Sequence, residues 1–186
     1  MTTAQPTPDP HSASTPAPGA DPQASGVDRE MLEDFLNQHL LGSRSGVKAF
    51  RAAAQTWDDT PQGADLTRLG DDVEQDQERL EALIRELGLT TPVPVKAAGV
   101  AAEAAGRVNP VNLMRSRGSG WTQVELDLLQ GMLQAKAAMW HVLEALAPHE
   151  PVLDAGEMAA LYERAQDQQR AVQRIAEDTL LGRFLR

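Results

Sequence analysis

The fold turns on residues 66–87, LTRLGDDVEQDQERLEALIREL. Leu66, Leu69, Val73, Leu80, Leu83 and Leu87 follow one another in alternating steps of three and four, with Asp76 in the middle place of the series. Such steps draw one stripe down one face of an α-helix. A stripe this long is stable only when other helices cover it. One carboxylate at its centre is costly to bury unless a partner helix answers it.

Working outward, three more segments carry comparable stripes with their own polar or small midpoint. Residues 28–57 place Leu32, Leu36, His39, Ser43, Gly46, Phe50, Ala53 and Trp57 at heptad spacing, with Asp28 as N-cap. Residues 121–147 place Leu129, Leu133, Lys136, Trp140 and Leu143 on one face, and Pro148 stops them. Residues 154–181 place Met158, Leu161, Ala165, Gln168, Val172, Ile175 and Thr179, with Asp154 as N-cap. The second helix is expected over 64–87, ending at Gly88, which suits the C′ position. Short turns join the first helix to the second and the third to the fourth, so each pair is expected to be antiparallel.

Composition narrows the class. The hydrophobic share is 41% but the aromatic share only 4%, so Leu, Ala, Val and Met must build the core, which suits helix-on-helix packing. There are no cysteines, which excludes disulfides, thiolate metal sites and cysteine nucleophiles. A net charge of −10 disfavours nucleic acid and anionic membrane surfaces as partners. No apolar run is long enough to span a bilayer and no signal peptide opens the chain, so a cytoplasmic protein is expected. Residues 1–27, rich in Pro, Ala, Ser and Thr, are expected to be a disordered tail, and residues 28–186 the helical domain. The connection over 89–120 is expected to hold a short helix over 95–108 and a basic group of Lys96, Arg107, Arg115 and Arg117.

Two antiparallel helix pairs joined by a long crossover is the connectivity of ferritin-like folds, and the run from Asp71 to Glu81 followed by Gly88 resembles the second helix of uncharacterised or stress-associated bacterial ferritin-like families. The resemblance spans about residues 28–181. It implies an all-α, ferritin-like antiparallel four-helix bundle with a long helical crossover between the second and third long helices. It also implies metals at mid-height. There the chain departs from the family, because a di-iron site takes two Glu-x-x-His motifs and the sequence contains none.

The four midpoints, Ser43, Asp76, Lys136 and Gln168, fall at one height if the bundle is built this way, with Asp72 a turn away and His39 near the layer. An ammonium at Lys136 stands where a cation would bind, so a Lys136 pair with Asp76 or Asp72 is expected in place of metal. A polar layer of this kind commonly sets helix register. An altered ligand pocket is the second reading, and a metal or ferroxidase-like site using Asp72, Asp76 and His39 the third. Gly42, Ser43 and Gly46 make the first helix small at this level. We expect close packing there, with Met132, Met139 and Trp140 filling the gap, and hold a small-molecule pocket beside Gly42 and Gly46 as the alternative. Asp71, Glu74, Glu78 and Glu81 form an outward acidic face.

No nucleophile elbow, phosphate loop or His-Glu-x-x-His motif is present, so no catalytic residue is assigned. The sequence therefore points to a non-enzymatic, cofactor-free bundle acting through protein contacts, with a homodimer or another protein as partner.

Overall fold

The computed structural model describes residues 26–91 and 120–185. Most of the expected tail, the 95–108 helix and the basic group Lys96, Arg107, Arg115 and Arg117 lie outside the described residues. The described residues form four long helices: α1 (Arg29–Thr56), α2 (Pro61–Glu86), α3 (Gly120–Leu146) and α4 (Ala155–Phe184), with a 3₁₀ turn at Ala147–His149. Among the described residues there is no strand, and no helix is long and apolar enough to cross a membrane.

Local chemistry sets the helix ends. Asp28 accepts from the Met31 N–H at 3.1 Å and Asp154 from the Glu157 N–H at 2.7 Å, each meeting a donor the first turn leaves open. α2 starts at Pro61 rather than near residue 64, because Thr60 caps it by accepting from Gly63 N–H at 3.2 Å and Pro61 sits at its first position. Proline there loses no hydrogen bond and already has a helical φ. At the other end Gly88 takes φ 66°, its N–H bonding Arg85 O at 2.9 Å while the Leu89 N–H bonds Ile84 O at 3.0 Å. These paired bonds are a Schellman stop, and Leu89 tucks into the core beside Ile84. α4 runs a turn past its expected end, through Gly182 to Phe184. Arg183 braces that turn with hydrogen bonds to Thr179, to the Ala176 carbonyl and to Gln123 of α3.

The helices form two hairpins. Along α1 and α2, Trp57 backs on Gly63, Phe50 on Gly70, Arg51 pairs with Glu74, Arg44 with Glu81, and Asn37 reaches Thr90. Along α3 and α4, Arg183 meets Gln123, Gln169 meets Gln134, and His141 stacks near Tyr162. In each hairpin the numbers fall on one helix as they rise on the other. Glu74 and Glu81 of the acidic face are thus answered by arginines of α1.

The core divides at mid-height. One half packs Leu32, Leu36 and Leu40 with Leu80, Leu83, Trp140, Leu143 and Met158. The other packs Phe50, Ala53 and Trp57 with Leu66, Leu69, Leu129, Val172 and Ile175. The α1 stripe departs from strict heptad phase: Leu40 and Val47 are buried, while His39 and Ser43 are only half-buried. A straight helix of 3.6 residues per turn drifts off a 3.5-residue repeat, which carries the buried face to these neighbours.

Candidate functional site

Between the two core halves lies a polar layer. Asp76 of α2 is 2% exposed, and its Oδ2 accepts from Lys136 Nζ of α3 at 2.6 Å and from Gln168 Nε2 of α4 at 3.3 Å. Lys136, 12% exposed, also donates to Gln168 Oε1. The triangle therefore closes on itself across three helices. A fourth group enters from α4: Arg164, 40% exposed, forms an ion pair with Asp76 Oδ1 without an aligned hydrogen bond. One carboxylate thus faces two cations. Burial pulls the Lys136 ammonium down to about 7, while the Asp72 carboxylate acts to raise it.

Of the four expected midpoints, Asp76, Lys136 and Gln168 come together. Ser43 does not join them: its hydroxyl donates to Leu40 O at 2.8 Å within α1. Arg164 was missed in the sequence. Its signal is the four-residue step to Gln168, which puts both on one side of α4. His39 sits across from the layer with its ring edge-on to Phe35, centroids 4.6 Å apart, and burial lowers its pKa. Among the described residues no group of three or more His, Asp or Glu is placed to hold a metal ion, so the set Asp72, Asp76 and His39 is not assembled.

Beside the layer, a cavity of about 310 Å³ opens between α1, α2 and α3. Phe50, Val73, Leu80, Leu133, Met139 and Trp140 form apolar walls, and Asp76 and Lys136 are the charged residues lining it. Gly42, Ser43 and Gly46 line it from α1. Close packing at these small residues, expected from the sequence, does not occur. A Cβ at Gly42 would meet no atom within 4 Å, and one at Gly46 would meet only Met132 Sδ, at 4.0 Å. Trp140 and Met139 are held in the core half that contains Leu36 and Leu80, and wall the space rather than fill it. Because Gly42 is exposed and has room, Gly42→Ala should stabilise the fold by about 0.5–1 kcal/mol through helix propensity alone. Thermal unfolding should show a rise of about 2 °C, and a fall would mean that the glycine is required by the backbone.

The small residues thus leave a space unfilled, next to a polar layer that spans three helices. No protein-family model, no curated protein and no solved structure matches this chain.

Proposed function

We propose that this chain is a non-enzymatic, ferritin-like bundle in which an ion-pair layer stands in the metal's place and the adjoining cavity binds a small molecule. The arrangement is supported by the composition of the two core halves. The N-terminal halves of α2 and α3 share one half with the C-terminal halves of α1 and α4, which is the order expected when a long crossover joins the second and third helices. The cavity carries the binding reading. Its volume of about 310 Å³ falls at the lower end of small-molecule sites, and its lining combines an apolar wall with a few polar groups. Lys136 supports the metal-free reading, since its ammonium already occupies Asp76 Oδ2.

Calorimetric titration with n-octanol tests the pocket. Saturable one-to-one binding is expected in the parent chain, and at least a tenfold loss in Gly46→Leu, whose side chain enters the cavity. Non-saturable uptake, or equal binding by the two proteins, would remove the pocket from the proposal.

A second reading, action through protein contacts, rests on the exposed Leu180, Leu181, Phe184 and Leu185 at the end of α4. Apolar side chains grouped this way commonly mark an interface. Solution mass would reveal a homodimer, and Leu181→Asp should return it to a monomer.

A further inference from the structure

The cavity has an uneven polar end. Asp76 and Lys136 are its two charged lining residues, and their remaining hydrogen-bonding capacities differ. Asp76 Oδ2 already takes two donors, from Lys136 and Gln168. Asp76 Oδ1 is sealed from solvent and faces Arg164, so it offers nothing to a molecule in the cavity. Lys136 is different. An ammonium has three donors, and two are given to Asp76 and Gln168. One N–H remains. The carboxylate's charge is meanwhile shared between Lys136 and Arg164. The polar end of an otherwise apolar space is therefore an N–H donor, on a side chain that the Asp72 carboxylate helps to keep charged.

Volume sets the rest. At about 30 Å³ per water-sized group, a cavity of about 310 Å³ takes roughly ten non-hydrogen atoms. Resting on the pocket reading above, we propose that the ligand is a medium-chain aliphatic carboxylate. Its chain lies against Phe50, Leu80, Leu133 and Trp140, and its carboxylate accepts the third N–H of Lys136. Ser43, Gln38 and Gln77 are further polar residues lining the same cavity. No bond is made or broken in this step.

Three probes of one chain length separate this inference from the pocket reading: octanoate, n-octanol and octylamine, each titrated into the full chain at pH 6. Octanoate should bind at least tenfold more tightly than either of the others. That preference should vanish in Lys136→Gln. If n-octanol binds as well as octanoate, or octylamine binds best, the carboxylate assignment falls and the pocket stands. If none of the three binds, the pocket reading falls and takes the carboxylate with it. The parent chain alone decides among these outcomes, so a poorly folding Lys136→Gln protein would not leave the question open.

Discussion

Lys136→Met, made alone, should lower the stability of the chain by about 3 kcal/mol at pH 6, the lower end of the cost of breaking a buried ion pair. In a domain of this size that is about 6–12 °C in melting temperature. The cost comes from the partner left behind. Asp76 is 2% exposed and would keep only Gln168 and Arg164, the latter 40% exposed and screened by solvent. Replacing both residues, as Lys136→Met with Asp76→Leu, should recover most of the loss, because neither charge is then buried. A Lys136→Met protein as stable as its parent would show that the pair is not a buried one.

The same variant carries a pH signature. The folded ammonium titrates at about 7, against 10.5 for an ordinary lysine. Between these values the unfolded chain holds a proton that the folded chain has released, so stability contributed by Lys136 rises with pH across that window. Below 7 both states are protonated and the burial cost is felt in full. Burial sets this balance and the Asp72 carboxylate opposes it, while Asp76 on α2, Arg164 on α4 and His39 across the cavity are the other titratable or charged groups that face the layer. The difference in stability between parent and Lys136→Met should therefore shift in favour of the parent from pH 7 to 10.5. A flat difference would mean that Lys136 keeps an ordinary pKa.

The helices were readable because stripe, cap and stop agree locally. Asp28 and Asp154 cap as their types suggest, and Gly88 stops α2 with a positive φ. The meeting of Asp76, Lys136 and Gln168 was also readable, since each stands alone on an apolar seam and burial forces such groups together. Arg164 was not, because a side chain that reaches inward from the edge of a stripe leaves no periodic mark. The cavity was misjudged for a related reason. Small residues are compatible with a close helix or with a gap, and only the spacing between neighbouring helices decides. Gly70 shows the first outcome, its absent Cβ facing Phe50 Cβ at 3.5 Å, and Gly42 shows the second. The start of α2 was placed late because Thr60-Pro61 reads equally well as a turn or as a cap and first residue.

That start carries the second large effect. Gly63→Ala should destabilise the chain by about 3 kcal/mol, at the upper end of the usual overpacking range. A Cβ at position 63 would lie 2.0 Å from the Trp57 carbonyl oxygen, 2.6 Å from its carbon and 3.0 Å from Asp58 Cα. All three are backbone atoms, so no side-chain rotation relieves the clash. The Trp57 carbonyl is itself fixed, accepting from the Thr60 N–H at 3.0 Å and the Thr60 hydroxyl at 2.7 Å. Relief must open the turn, which weakens the Thr60 cap on Gly63 N–H and displaces Trp57 from its packing with Phe50 and Leu66. Gly70→Ala is the matched control. Its Cβ would make ordinary contact with Phe50 at 3.5 Å, and its cost should stay within about 1 kcal/mol, offset by helix propensity. Urea unfolding of the two variants checks the contrast, and a Gly63→Ala protein within 1 kcal/mol of its parent would contradict it. The turn also fixes how far α2 is shifted along α1, and so the height at which Asp76 meets Lys136. A milder disturbance there, such as Thr60→Ala, should therefore weaken octanoate binding together with stability, although Thr60 does not line the cavity.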